Sequence, residues 1–377
     1  MTNTPPVHVV FNAMSIRPGG GLTVLLGLIK GLASQDQIKV NTTVVCSANG
    51  TYDALLEQGI AKVEQPLKNA SGIKRQIWAV TRLGGLVKEL KADVFVSVNQ
   101  FIRGVSCPQV IYHVNVLRFM PVRANGSVTH FIAEHLRNYS ALQALRKASA
   151  NVFESAFIQD CAETFHDRND PLDQVIYIGL PDYLVNASKT EARYTAGQLF
   201  AITSSEPHKD NSTMIRTLAE LVKLRPEVDW RLKIAGFDDT WSDYKTLARS
   251  LDVLDRIQWL GFLTQAEITI HLRESLSLIS TSKVESFCMV ALEAMARGCP
   301  PVVSDCSAMP ESVGEGGLLA KPGDPKSFAQ AVLSLHDSPD LRNQYVEKGF
   351  EHVRSFRWNT CGEQFVELFS QLCHNPK

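Results

Sequence analysis

Short apolar runs alternate along the chain with longer stretches in which apolar residues recur every three or four positions. The runs in the first half are Val7–Phe11, Val40–Cys46, Ala61–Glu64, Asp93–Val98, Gln109–His113, Asn151–Ser155 and Val175–Ile178. Those in the second half are Leu199–Thr203, Arg231–Ala235, Ile257–Leu260, Leu276–Ser280 and Pro301–Ser304. Most are short and rich in β-branched residues, which predicts buried strands. Helical periods separate them at 22–32, 72–91, 128–147, 211–224, 240–251, 264–274 and 287–297. Strands alternating with helices of this length predict an α/β fold, with parallel sheets covered on both faces.

The alternation pauses once. From Gly179-Leu180-Pro181-Asp182 to about Thr195 there are turn residues and no sustained period, which reads as a linker between two halves. The expected boundaries are 1–185 and 186–355, followed by an apolar-striped helix within 356–377.

In such sheets ligands bind beyond the carboxyl ends of the strands. Lys209, Gly236, Gly261, Glu285 and Ser304 all follow or close strands of the second half, so they are expected along one edge. The densest candidate is Val284–Val303, which reads as loop, helix and buried strand. Ser286 is placed as an N-cap, and Gly298 followed by Pro300 and Pro301 as a stop. Glu285 precedes this predicted helix and Glu293 lies about two turns into it. Eight helical residues span roughly 12 Å, comparable to the separation of sugar and ribose in a nucleotide-sugar. The first-turn amides of Ser286, Phe287 and Cys288 lie between the carboxylates and offer an anion site. A plainer reading stands beside this one. Glu285 could serve only the helix dipole, and Glu293 could pair with Arg297 at i, i+4.

In the first half, Arg17-Pro18-Gly19-Gly20-Gly21 joins a strand to a helix, an arrangement that brings backbone amides close to a phosphate. A bare glycine triplet serves a tight turn equally well. Residues 72–91 carry Lys74, Arg75, Arg82, Lys88 and Lys91 around Trp78 and Leu83. That helix either rests on anionic lipid or turns a solvated basic side outwards from the core.

Bulk properties narrow the classes. With 377 residues, 45% hydrophobic content and a net charge of -1, two globular domains are expected and nucleic-acid binding is not. The eight cysteines form no Cys-x2-Cys pair, so neither zinc nor a disulfide framework is expected. The first residues lack a signal-peptide pattern and no run reaches the ~18 apolar residues of a membrane span, so the expected location is cytoplasmic.

Glu285-x7-Glu293 running into Ala-Met-Ala-Arg-Gly-Cys-Pro-Pro-Val-Val-Ser-Asp, with Met309-Pro310-Glu311, Gly316-Gly317-Leu318-Leu319 and Pro322-Gly323-Asp324-Pro325 beyond, resembles the retaining glycosyltransferases of family 4. The resemblance implies the GT-B fold, in which two Rossmann-like domains face a cleft. The first domain would take the acceptor and the second the nucleotide-sugar, and the C-terminal helix would return to the first.

The resemblance also implies roles for single residues. Glu285 would hold the donor hexose, Glu293 the ribose, and Lys209 the diphosphate, while His113 at its strand end would position the sugar. Gly20, Gly21, Ser204, Gly236 and Phe262 become further donor-binding candidates. The implied reaction moves a hexosyl group, with retention, to a glycan or lipid-linked acceptor in surface polysaccharide assembly. It needs no metal or other cofactor, and peripheral contact with the inner face of the cytoplasmic membrane stays open.

Two departures weaken the pattern. Relatives carry an arginine five or six residues before the lysine, where this chain has Thr203 and Ser204. Glu285-Ser286-Phe287-Cys288 also lacks two glycines usual in the family. The rival readings are a nucleotide-sugar epimerase and a weakly active nucleotide-binding partner subunit. No Gly-x-Gly-x-x-Gly follows a strand, which argues against a dinucleotide oxidoreductase.

Overall fold

The computed structural model describes residues 5–36, 38–60, 63–120, 128–166, 170–186, 194–236 and 241–374. Part of the expected linker (187–193), the first two residues of the strand expected at Ala61–Glu64, and residue 240 of an expected helix lie outside them. The chain forms two compact units, one of Met1–Pro181 with Phe356–Lys377 and the other of Asp182–Ser355.

The first unit contains β1 (Val7–Ala13), β2 (Val40–Cys46), β3 (Val63–Glu64), β4 (Val94–Val98), β5 (Gln109–His113), β6 (Ala150–Phe153) and β7 (Gln174–Val175). They form one parallel sheet in the order β3-β2-β1-β4-β5-β6-β7. Val10 of β1 pairs with Thr43 on one side and Phe95 on the other, which marks the place where strand order reverses. Val9, Val10, Val94, Phe95, Val110 and Ile111 are wholly buried, because helices cover both faces and each face needs apolar side chains.

The C-terminal helix Trp358–His374 packs on Gly20–Ala33 within this unit. The contact requires glycine. A Cβ on Gly31 would stand 2.0 Å from the Trp358 carbonyl oxygen, and one on Gly362 would stand 2.2 Å from the Gly31 carbonyl carbon. Phe365, Leu368, Phe369 and Leu372 supply its buried stripe.

The second unit contains β8 (Thr195–Ile202), β9 (Arg231–Ala235), β10 (Ile257–Gly261), β11 (Ser275–Ser280), β12 (Pro301–Ser304) and β13 (Leu318–Ala320). Their order is β10-β9-β8-β11-β12-β13, parallel throughout, with the reversal between β8 and β11. This is the doubly wound arrangement whose ligand crevice opens at the reversal. Arg342 is only 2% exposed, lies 3.7 Å from the centre of the Tyr194 ring, and donates to the carbonyls of Leu276, Ser275 and Gly298. It thereby pins the start of β11 and the turn before β12.

Some boundaries differ from the sequence expectation. The helix expected over 72–91 is three pieces, Gly72–Trp78, a widened π turn Ala79–Leu83, and Gly84–Glu89. The register changes where Gly84 brings its backbone against Gly104; a Cβ there would meet the Gly104 carbonyl at 2.7 Å. The strand expected at Val175–Ile178 is only Gln174–Val175.

Candidate active site

The loops after β8 and β11 carry Lys209 and Glu285. Pro207–Lys209 is a 3-10 turn, after which Asp210 takes a left-handed conformation (φ 47°) and the helix Asn211–Leu224 begins. Several contacts stitch the two loops. Thr281 Oγ1 donates to the Asp210 carbonyl at 3.0 Å, the Lys283 amide to the His208 carbonyl at 2.7 Å, and Lys283 Nζ meets the Asp210 carboxylate at 2.9 Å. This stitching sets Lys209 Nζ 2.6 Å from Glu285 Oε1, with side chains 24% and 14% exposed. Ser307, in the loop after β12, accepts the Glu285 amide proton at 3.0 Å. Glu285 is therefore held by its backbone to the loop after β12 and by its carboxylate to the loop after β8.

The neighbouring helix is Met289–Met295, with Cys288 rather than Ser286 at its N-cap. This corrects the expected start. Cys288 is buried and its amide donates to Ser312 Oγ at 3.0 Å, so this amide is not open to a diphosphate and the peptide is turned out of the helix. Burial, and then the Glu285 charge, also push the Cys288 thiol up to about 12. Phe287 is buried too, whereas Ser286 is half-buried. Gly298 (φ 74°) follows the last turn, where a stop is expected.

Glu293 sits in the middle of that helix, its side chain 15% exposed and 3.5 Å from Arg297. The plainer pairing at i, i+4 is thus present but long. Arg297 donates at 2.9 Å to the Glu293 carbonyl and to Thr269 Oγ1, and at 3.0 Å to Gln265 Oε1. Burial raises the Glu293 carboxyl above its usual range against the opposing pull of Arg297.

At the site of the missing arginine there is a polar turn. Thr203 Oγ1 donates to Asn211 Oδ1 at 2.8 Å, and Asn211 Nδ2 to the Ser204 carbonyl at 2.9 Å. Gly236 (φ 105°) lies next to it, since a Cβ there would stand 2.2 Å from the Thr203 carbonyl oxygen. Its amide donates to the Gly261 carbonyl, and Phe262 follows at 80% exposure. At the end of β12, Ser304 Oγ is buried without a partner. Lys283, Asp210 and Ser307 are site residues that sequence reasoning missed. A loop lysine and two turn residues carry no period, and only the strand order brings them together.

In the first unit, Gly20 and Gly21 open the helix Gly20–Ala33 and line a cavity between the ends of β1 and β4. His113 ends β5 but is completely buried, stacked on Phe153 and tilted against Phe119. Its Nε2 donates to Asn151 Oδ1 at 2.9 Å, because the Asn151 amide already donates to the Leu145 carbonyl and Asp173. Burial lowers His113 to about 4. The expected contact of His113 with a donor sugar is corrected accordingly: a neutral, enclosed imidazole has no surface with which to touch one. Among the described residues no three His, Cys, Asp or Glu side chains gather into a metal-holding group.

Residues 188–352 match the family described as glycosyl transferases group 1. A D-inositol 3-phosphate glycosyltransferase of Corynebacterium efficiens is 31% identical over 172 residues, 44% of this chain and 41% of that protein. The O-antigen chain mannosyltransferase B of Escherichia coli is 24% identical over 179 residues, 47% of this chain and 46% of that protein. The chain thus spans less than half the length of these curated relatives. HepE of Anabaena, solved in complex with UDP and glucose, superposes over 97% of this chain and 99% of its own, with a TM-score of 0.72 and 21% identity. The fold is GT-B, and the match to the glycosyl transferases of group 1 lies within the second unit of the chain.

Proposed function

We propose that the protein is a retaining hexosyltransferase that takes its sugar from a nucleoside diphosphate donor. The observation that carries this reading is the Lys209–Glu285 pair at the β8/β11 reversal, with Glu293 eight residues along the chain. Glu285 accepts hydrogen bonds from the hexose. Lys209 shares its charge between Glu285 and the diphosphate, and so stabilises charge that builds on the leaving group. Lys283, held by Asp210 at the same loop, is the substitute for the arginine absent at Thr203 and Ser204. Glu293 takes the ribose hydroxyls, which explains a carboxylate kept in a site that opposes its charge. The group 1 match and the O-antigen relative support a glycan or lipid-linked acceptor in surface polysaccharide assembly.

The test is a thermal-shift screen against uridine, guanosine and adenosine diphosphates and their sugars, then NMR of the product's anomeric proton. A nucleotide that stabilises the protein and a product of unchanged anomeric configuration support the proposal. No shift with any nucleotide, or an inverted product, overturns it. The absent arginine favours a second reading, a nucleotide-binding subunit with little activity of its own. Nucleotide binding without hydrolysis or transfer would select it.

Membrane contact belongs to the same proposal. Among the described residues no helix is long and apolar enough to cross a membrane. The helix Gly72–Trp78, however, buries no residue and exposes Ile73 at 76% and Ile77 at 60%, beside Lys74 and Arg75. Val80 continues that apolar line at 52%. An apolar stripe flanked by cations suits the interface of an anionic bilayer. Co-sedimentation with phosphatidylglycerol vesicles, absent with phosphatidylcholine and lost in Ile77→Glu, is the expected result. Equal sedimentation of wild type and variant rejects the contact.

A further inference from the structure

Ser307 has φ 53°, in the left-handed region. A serine is strained there, whereas glycine adopts that conformation freely and asparagine or aspartate more easily than other residues. The other described non-glycine residues with positive φ have an ordinary explanation. Asn69, Asn99, Asp210 and Asp252 are of the tolerant types. Lys91 lies just past the helix Gly84–Glu89, where its amide donates to the Lys88 carbonyl and that of Ala92 to the Val87 carbonyl, the usual left-handed stop. Ser307 follows no helix; it lies between β12 and the short helix Met309–Val313. Strain of this kind persists where the surroundings enforce it, and it gathers at functional sites.

The strained turn grips the backbone of Glu285 at both ends. Ser307 Oγ accepts the Glu285 amide proton at 3.0 Å, and the Ala308 amide donates to the Glu285 carbonyl at 3.4 Å. One residue earlier, Cys306 Sγ donates to the Lys283 carbonyl at 3.3 Å. The turn is itself anchored. The Asp305 amide donates to the Ala320 carbonyl of β13 at 2.7 Å, and Ala308, Met309 and Ser312 are wholly buried. Ser312 Oγ donates to the Ala308 carbonyl at 2.7 Å and accepts the Cys288 amide proton, so the far end of the loop 285–288 is tied to the same segment. The Glu285 side chain thus leaves a fixed backbone on its way to Lys209. Glycine at 307 would keep the turn and remove the strain, but the Glu285 amide would lose its acceptor.

We propose that Ser307 is a positioning residue for sugar recognition: its hydroxyl, aimed by a strained backbone, fixes the Glu285 carboxylate where it receives the donor hexose. This role rests on the transferase reading above, in which Glu285 holds the hexose and Ser307 acts through it. Without the hydroxyl, the loop also samples positions that do not present the carboxylate. One lost hydrogen bond lowers the competent fraction, and with it the affinity for a hexose-bearing donor, by about five- to tenfold. The nucleoside diphosphate alone, which carries no hexose, is held nearly as before.

Calorimetric titration of the full chain with uridine, guanosine and adenosine diphosphates and their glucose and mannose conjugates gives the ratio of the two affinities, the sugar preference. The proteins are wild type, Ser307→Gly, Ser307→Ala, Glu285→Gln and the double variant Ser307→Gly with Glu285→Gln. The preference should fall about five- to tenfold in both Ser307 variants and at least as far in Glu285→Gln. The double variant should fall no further than Glu285→Gln, because a hydroxyl that acts through the carboxylate then has nothing to position. Ser307→Gly should melt within about 4 °C of wild type, relief of strain offsetting the lost hydrogen bond, so its loss of preference is not unfolding. A merely structural serine would shift the melt and leave the preference unchanged. A wild-type preference in Ser307→Gly, or a further fall in the double variant, overturns the positioning role while the transferase reading stands. If Glu285→Gln keeps the wild-type preference, or wild type binds none of these nucleotide-sugars, the hexose contact of that reading fails and the role of Ser307 fails with it.

Discussion

Replacing Glu293 with glutamine separates a carboxylate kept for a ligand from one kept for an ion pair. The side chain is 15% exposed, and its cation stands at 3.5 Å, beyond the ~2.7–2.9 Å of a strong charge-assisted hydrogen bond. Burial outweighs Arg297 and raises the carboxyl's pKa. A raised carboxyl pKa means that the folded state binds the proton more tightly than the unfolded state. The corresponding stability is present at low pH and is lost as pH rises through the folded value. At neutral pH the charge is therefore a net cost, and Glu293→Gln should melt higher than wild type when no ligand is present.

With nucleotide the sign reverses. Losing the charge and one acceptor towards two ribose hydroxyls costs about 2–3 kcal/mol, or roughly 30- to 150-fold in affinity. At a nucleotide concentration of about 100 times the wild-type Kd, ligand stabilisation falls from about 2.7 to about 0.3–0.9 kcal/mol. For a unit the size of Asp182–Ser355 that is a melting shift of about 5–11 °C reduced to about 1–3 °C. Differential scanning fluorimetry with and without nucleotide reads both effects. A variant that melts lower without ligand yet keeps the full shift would show that Glu293 serves Arg297 alone.

Lys209→Met should lower transfer at least ~100-fold in kcat with a smaller change in nucleotide affinity, as for a group that acts on developing charge; a rise in KM with kcat intact would contradict this in steady-state kinetics. His113, lowered to about 4 by burial, stays neutral in the folded state. Stability should therefore fall by up to about 3 kcal/mol as pH drops from the ordinary ~6.5 towards 4, and denaturant titrations of His113→Gln should lack that component. Gly362→Ala would force a Cβ to within 2.2 Å of Gly31 and should destabilise the first unit by about 1–3 kcal/mol, visible as an earlier thermal transition. An unchanged melt would mean that the two helices separate freely.

Buried parallel strands are legible because each is a compact apolar run closed by a turn. Pro301–Ser304 is found as expected, and Leu276–Ser280 gains only Ser275. Three-residue β13 has no period to read. Site details depend on partners distant in sequence, which local patterns do not contain. Ser286 has the composition of an N-cap, yet Ser312 takes the Cys288 amide and moves the helix start. The position of His113 at a strand end is readable, but its burial depends on Phe119 and Phe153, which come from other elements. Arg118 belongs to no motif. Only the strand order puts it at the same opening as Arg17.

The first unit is completed by the last stretch of the chain. The outgoing segment at Leu180 and the returning one at Phe356 and Arg357 lie side by side, bridged in parallel with Leu180 N–H donating to the Phe356 carbonyl. During synthesis, the second unit, continuous in sequence, has all its residues before Trp358, Phe365 and Phe369 leave the ribosome. The earlier-made helix Gly20–Ala33 must wait with its glycine face uncovered until then. The order of maturation therefore runs against the order of translation, and a nonsense codon just before Trp358 would cripple the part of the protein made first.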